Sequence, residues 1–120
     1  MEQLNGVATL QDCRGYRHFG FLTLPSYSMI AFANAIEVLR IANYVAGRDW
    51  YRWTVYTIDG RQAVPSNGVA TGAVRAFDCS GELPDVLIVC GGVGVRQSVN
   101  ASLESALRNA AGRRRVRCAL

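Results

Sequence analysis

Apolar residues along the chain form short continuous runs, each closed by a turn signal. The three clearest runs are Phe19 to Leu24, Tyr51 to Ile58 and Asp85 to Val89, followed in turn by a proline, an Asp-Gly pair and a Cys-Gly-Gly sequence. Runs of this length predict strands, and an uninterrupted apolar run is typical of a strand buried on both faces. Weaker patterns predict short strands over Val74–Phe77 and Val116–Leu120.

Two stretches between these runs have the spacing of amphipathic helices. Apolar residues recur every three or four positions at Met29, Phe32, Ala33, Ile36 and Leu39, and again at Leu103, Ala106, Leu107, Ala110 and Ala111. The predicted caps are Ser26 or Ser28 and Gly47 for the first helix, and Asn100 or Ser102 and Gly112 for the second. Residues 65–72 contain an Asn-Gly pair and are predicted to form a hairpin or an irregular crossing.

Alternating strands and helices predict an α/β fold, a flavodoxin-like three-layer sandwich with a mostly parallel sheet. The strand at Val116–Leu120 is expected to be central and parallel to Asp85–Val89. Because no helix follows it to cover the sheet, we expect the domain to be C-terminally incomplete. Residues 1–16 lack periodicity and are predicted to be an N-terminal arm, which leaves 17–120 as the domain.

Composition adds few constraints to this picture. Half of the 120 residues are apolar, which is enough for one core, and the net charge of +4 comes from thirteen basic residues that are all arginine. Four arginines lie between Arg113 and Arg117, where a solvated loop is the favoured interpretation over a phosphate contact. There is no signal sequence and no run of eighteen apolar residues, so we expect a soluble, cytoplasmic protein without membrane contact.

The four cysteines do not have the spacing of a metal or redox site. Cys13, Cys79, Cys90 and Cys118 form no C-x-x-C pair, and His18 is the single histidine. The four cysteines are interpreted as reduced thiols, and His18 is interpreted as a strand-end residue. No metal or cofactor is therefore expected.

Ligands of open α/β sheets bind beyond the carboxyl ends of the strands, where two segments of this chain fall. The first is Leu24–Ser28 and the second is Cys90–Gly94. Glycines at a strand end can expose amides to a carboxylate, or can simply allow a tight turn. Cys90 could be activated by a helix N-terminus, but no base lies beside it in the sequence, and a buried apolar role is favoured.

Several motifs, taken in order, resemble one group of proteins. They are Phe-Leu-Thr-Leu-Pro (21–25), Ala-Ile-Glu-Val-Leu-Arg-Ile-Ala-Asn (35–43), Tyr-Arg-Trp (51–53), Asp-Gly (59–60), Ser-Asn-Gly (66–68) and Pro-Asp-Val-Leu-Ile-Val-Cys-Gly-Gly (84–92). Together they resemble the N-terminal sensor domain of AraC-family regulators of the GlxA type. That domain belongs to the class I glutamine amidotransferase-like superfamily with the PfpI-type enzymes, and the resemblance covers about residues 17–120.

The resemblance implies a sensor rather than an enzyme. The glutamate that PfpI-type enzymes carry in their first helix corresponds to Ala31, and their elbow cysteine would fall just after Leu120, although a small register shift would make Cys118 a candidate. No catalytic residue is therefore assigned. In such regulators this domain binds a metabolite, such as an amino acid or a quaternary amine, and dimerises, while a separate helix-turn-helix domain that is absent from this chain binds DNA.

Two other functions stay open at this point. A fragment of a PfpI-type cysteine hydrolase, amidase or isonitrile hydratase is the alternative, and a receiver-type module is disfavoured because no acidic cluster follows the first strand. For the sensor, the predicted ligand-binding residues share the carboxyl edge of the sheet. They are Tyr27, Ser28, Ser66, Asn67, Cys90, Gly91 and Gly92.

Overall fold

The computed structural model describes residues 15–78, 80–112 and 117–119, the last three by their backbone. The strands are β1 (His18–Thr23), β2 (Arg52–Thr57), β3 (Arg75–Ala76), β4 (Val86–Cys90) and β5 (Arg117–Ala119). The helices are α1 (Met29–Ala46), α2 (Val95–Ser98) and α3 (Ala101–Ala111).

The strands form one parallel sheet in the order β3-β2-β1-β4-β5. In the centre, Phe21 of β1 is in register with Val55 of β2 on one side and with Ile88 of β4 on the other. The chain leaves β1 towards β2 and leaves β4 towards β5, so right-handed crossovers place α1 and α3 on opposite faces. The predicted flavodoxin-like α/β fold is confirmed.

A separate apolar core fills each face of the sheet. The core under α3 contains Leu22, Leu24, Tyr56, Phe77, Leu87, Val89, Leu103 and Ala110. The core under α1 contains Phe21, Tyr27, Phe32, Leu39 and Cys90. Phe21, Leu22 and Leu87 are completely buried, and burial of each such side chain is worth about 1.5–3 kcal/mol. This explains why β1 and β4 consist of apolar runs without polar alternation.

The helix ends follow the predicted caps in part. Asn100 caps α3, because its side-chain oxygen accepts a hydrogen bond from the Leu103 amide at 2.9 Å. Gly47 ends α1 in the left-handed conformation, with φ 71°, as a C-terminal glycine commonly does. Ser28 occupies the N-cap of α1, but its side chain makes no capping hydrogen bond.

Most predicted element positions are confirmed within one or two residues, with two corrections. The four-residue helix α2 was not predicted, because Val95–Ser98 is too short to show a period. β5 is parallel to β4 as predicted, with Cys118 opposite Leu87, but it lies at the edge of the described sheet rather than in its centre. Residues 1–14, which make up most of the predicted arm, and the arginines at 113–115 lie outside the described residues.

Helix α1 is long and apolar enough to cross a membrane by length and composition alone. A core helix of a soluble protein passes the same test. Here one side of α1 packs on the sheet through Phe32 and Leu39, and its outer side carries an ion pair between Glu37 and Arg40.

Candidate functional site

Two turns meet at the carboxyl edge of the sheet, as the sequence predicted. The Leu24 amide donates to the Cys90 carbonyl at 3.0 Å, and the Ser28 amide donates to the Gly91 carbonyl at 3.0 Å. Gly92 lies so close to the other turn that a Cβ atom there would overlap the carbonyl oxygen of Ser26. The glycine is therefore needed for close backbone contact between the turns.

A third segment, residues 64–68, packs against the first turn. The Ser66 amide donates to the Tyr27 carbonyl at 2.9 Å, and the Tyr27 hydroxyl lies 3.3 Å from the Thr71 hydroxyl. The Tyr27 ring is buried and makes an edge contact with Phe32, with ring centroids 5.3 Å apart. Asn67 is exposed, and its side-chain oxygen accepts from the Val69 amide within its own turn.

The structure thus brings the segments of the seven predicted ligand-binding residues together, but mainly through backbone contacts. The amides of Ser28 and Ser66 are occupied by carbonyl groups of neighbouring turns. The side chains of Tyr27 and Cys90 belong to the core under α1. Ligand binding by these seven residues stays a prediction.

Cys90 has the environment of a structural thiol. It is buried, and desolvation raises the pKa of its thiol to about 11. Its sulfur lies 3.9 Å from the Ile88 carbonyl oxygen. A thiol with a raised pKa is almost entirely protonated at neutral pH, so it is a poor nucleophile.

The structure also locates Ala31 and Cys118, the two other positions considered for the enzyme alternative. Ala31 is exposed in the first turn of α1. Cys118 pairs with Leu87 inside β5, whereas a nucleophile elbow is a turn between a strand and a helix. No group of three or more potential metal ligands occurs within the described residues.

An open cleft of about 790 Å³ lies beside these turns on the α3 side of the carboxyl edge. It is bounded by the residues that follow β1, those that follow β2, and the start of α3. Its polar lining includes Thr23, Ser26, Thr57, Asp59, Arg61, Gln62, Gln97, Ser98, Asn100 and Ser102. The sequence placed two of its bounding segments, Leu24–Ser28 and Cys90–Gly94, at this edge, but none of the seven predicted ligand-binding residues lines the cleft. Its lining residues Arg61 and Gln97 belong to no motif, so no signal in the sequence could have found them.

We next compared the chain with known proteins. No family model matches it. The HTH-type transcriptional regulator GbdR of Pseudomonas aeruginosa is 41% identical over 86 residues, which are 72% of this chain and 23% of that protein. The HTH-type transcriptional regulator GlxA of Rhizobium meliloti is 30% identical over 86 residues, 72% of this chain and 26% of that protein.

This chain is homologous to AraC-type transcriptional regulators. A crystal structure of an AraC family regulator from Pseudomonas putida superposes with a TM-score of 0.67 at 26% identity, over 79% of this chain and 58% of that chain. A DJ-1 superfamily protein from Agrobacterium tumefaciens shares the fold. It superposes with a TM-score of 0.58 at 16% identity, over 83% of this chain and 51% of that chain. The regulator homologues confirm the resemblance to AraC-family regulators of the GlxA type, and the DJ-1 superfamily structure supports the fold. The chain spans about a quarter of the curated relatives it matches.

Proposed function

We propose that this chain is an effector-sensing and dimerisation domain that binds a small metabolite of the amino acid or quaternary amine type. Binding controls the contact of a separate helix-turn-helix domain with DNA. The observation that carries the proposal is that the curated relatives are HTH-type transcriptional regulators. An open polar cleft at the carboxyl edge of the sheet, where α/β proteins bind ligands, supports a sensing role.

The proposed sensor has no catalytic activity of its own. A hydrolase of this fold needs an ionisable thiol and a carboxylate to assist it. Ala31 offers no carboxylate, and burial raises the pKa of Cys90. The relatives' function as regulators supports the same conclusion.

The outer face of α1 supports the proposed homodimer. Five apolar residues are exposed on the outer side of this helix, which also carries the Glu37–Arg40 ion pair: Ile30, Val38, Ile41, Tyr44 and Val45. Tyr44 and Val45 are 82% and 79% exposed. A second copy packed on this side of the helix across a two-fold axis would bury the same residues from both partners. Because a DNA-binding regulator acts on the chromosome, the proposed location is the cytoplasm.

Expression of the gene that encodes this chain, together with a reporter fused to the promoters that its product binds, tests the proposal. We expect reporter output to change with one amino acid or quaternary amine in the medium. The purified product should show no amidase or isonitrile hydratase activity. Promoter binding that is independent of every metabolite, or cysteine-dependent turnover abolished by Cys90→Ser or Cys118→Ser, would contradict the proposal.

A further inference from the structure

The side of α1 that faces away from the sheet carries a second stripe, which is apolar except for one asparagine. We call it the α1 stripe, and it consists of Ile30, Asn34, Val38, Ile41 and Val45. These residues recur every three or four positions and lie within about 80° of the helix circumference, at 3.6 residues per turn. The four apolar members are 73%, 66%, 49% and 79% exposed, in chain order. Because a helix that is apolar on both sides is normally covered on both, the α1 stripe indicates a contact surface.

The positions in the α1 stripe are symmetric about the middle of the helix. Ile30 and Val45 lie equally far from a point between residues 37 and 38, and so do Asn34 and Ile41. Val38 lies beside that point. Two antiparallel copies of α1, related by a two-fold axis at this point, would place Ile30 against the partner's Val45 and Val38 against the partner's Val38. Contact between identical surfaces needs such symmetry, whereas contact with a different partner does not, so a second copy is the occupant that fits.

The charged residues beside the α1 stripe fit the same arrangement. Glu37 and Arg40 lie on one flank of the stripe and form an ion pair at 2.6 Å. A two-fold axis between residues 37 and 38 would offset Glu37 from the partner's Arg40 by only about 3 Å along the helix axis, at 1.5 Å per residue. Each carboxylate then lies between its own guanidinium and the partner's. The rim of the contact is therefore complementary in charge, and this flank lacks the surplus of basic residues that is typical of a helix on a membrane surface.

We infer that two copies of this chain pair through an antiparallel contact between their α1 stripes, with the two-fold axis passing between residues 37 and 38. The inference rests on the proposed homodimer and specifies its direction and register. Asn34 is the exception in the stripe, because this register places its amide against the partner's Ile41. An amide that loses water without gaining a hydrogen bond weakens the contact. Asn34 therefore makes the dimer weaker than an entirely apolar stripe would.

Cysteine cross-linking of the full gene product distinguishes the possible pairings. In the proposed register the two copies of Val38 are adjacent, whereas the two copies of Ile30 are about 22 Å apart along the helix axis. With a short bis-maleimide, Val38→Cys alone should give a covalent dimer, and neither Ile30→Cys alone nor Val45→Cys alone should do so. Co-expression of the Ile30→Cys and Val45→Cys proteins, one of them tagged, should give a covalent heterodimer. The wild type with its native cysteines sets the background.

Sedimentation at several concentrations measures what the same residues contribute to affinity. Val38→Asp should weaken the dimer at least about tenfold, because it places two carboxylates beside the two-fold axis. Asn34→Leu should tighten the dimer about tenfold or more, since an apolar side chain replaces the amide against the partner's Ile41. Val99→Asp is the matched control, because Val99 is 52% exposed and precedes α3 on the opposite face of the sheet. Positions 34 and 38 are exposed in the single chain, so both variants should fold, and urea denaturation verifies this.

Three results would overturn the inference. A covalent dimer of Ile30→Cys alone would mean that the helices pair in parallel. No cross-link above the wild-type background would mean that another segment of the gene product covers the α1 stripe. A dimer affinity that neither Val38→Asp nor Asn34→Leu changes would place the interface elsewhere. In the last two cases a wild type that sediments as a dimer leaves the proposed homodimer intact, whereas a monomeric wild type removes it, and the reporter response tests sensing separately.

Discussion

The two ends of the sheet use their buried polar groups differently. At the amino end, the His18 ring is buried with Nε2 2.8 Å from the Thr54 hydroxyl, and one Asp85 carboxylate oxygen accepts the amides of Arg17 and His18 at 2.9 and 3.1 Å. At the carboxyl end, the turns are joined by backbone hydrogen bonds. Each end also has one buried polar atom without a partner among the described residues, His18 Nδ1 at the amino end and the Thr57 hydroxyl at the carboxyl end.

The two ends of the sheet are therefore stabilised by different groups, side chains at one end and backbone at the other. Side chains at the amino end hold the start of β1 against the residue that precedes β4, so few of them are free for another molecule. At the carboxyl end the backbone holds the turns together, and the exposed residues Asp59 and Arg61 line an open cleft. Ligands of open α/β sheets commonly bind at this end of the strands.

Substitution of Gly92 by alanine should have the largest effect on stability. The new Cβ would overlap the Ser26 carbonyl oxygen, which is backbone and cannot rotate away. We expect the free energy of unfolding to fall by about 3 kcal/mol, near the upper end of the usual cost of overpacking. Urea denaturation of the two proteins measures this difference.

Gly94→Ala is the matched control for that prediction. Its Cβ would lie 3.8 Å from Gln97 and 4.0 Å from Ser26, which is ordinary contact. Its unfolding midpoint should stay near that of the wild type. An equal loss of stability in both variants would contradict this prediction, because it would show that glycine at position 92 is not required by the close approach of the two turns.

Asp85→Ala should have the next largest effect, at the opposite end of the sheet. The substitution leaves the amides of Arg17 and His18 without their carboxylate acceptor. Because hydrogen bonds to charged groups contribute about 1.5–3 kcal/mol, we expect a loss of roughly 2 kcal/mol in urea denaturation. Asp85→Asn retains an oxygen acceptor and should lose less; if asparagine is as costly as alanine, the amides do not depend on this side-chain oxygen.

The sequence could predict the fold because burial leaves a direct pattern in it. β1 and β4 are buried on both faces and are uninterrupted apolar runs, and α1 shows a stripe from Phe32 to Leu39. Helix α2 lacks such a signal, since four residues make about one turn. The edge position of β5 could not be predicted, because strand order depends on pairing between distant segments.

The site could be predicted only at the level of its edge of the sheet. The pairing of the Ser28 and Gly91 segments followed from topology and is confirmed by the backbone hydrogen bond between them. Thr57 looks in the sequence like any strand threonine. Whether its hydroxyl is paired depends on neighbours that the chain brings together from three loops, so no local pattern could reveal it.

Acidification should act on the amino end of the sheet through His18. Burial, followed by the nearby positive charge of Arg52, lowers the pKa of this histidine below its ordinary value of 6.5, and its Nδ1 has no partner among the described residues to reward protonation. The unfolded chain therefore binds a proton at higher pH than the folded protein. Stability that is fully present above pH 6.5 should decline as the pH falls towards the folded-state pKa.

Urea midpoints at a series of pH values between 8 and 5 measure this decline. His18→Gln keeps a group that can bond to Thr54 but cannot take up a proton in this range, so its midpoint should depend less on pH. A wild-type midpoint that rises on acidification would contradict the sign of the shift.

The smallest expected effect is that of Arg52→Gln, which alters the charge beside His18 without touching its hydrogen bond. Arg52 forms an exposed ion pair with Glu82 at 2.9 Å, and such pairs contribute only about 0–1 kcal/mol, so stability at neutral pH should hardly change. The pKa of His18 should nevertheless rise, because the substitution removes a positive charge that lowers it and leaves Glu82, which raises it, unpaired.

His18 is the single histidine in the chain, so its ring-proton resonance reports this pKa directly in an NMR titration. Arg48→Gln is the control, because Arg48 is not among the charged groups that shift the pKa of His18. An unchanged pKa in Arg52→Gln would mean that the Arg52 charge does not contribute to the titration of His18, and a lower pKa would contradict the sign of its effect.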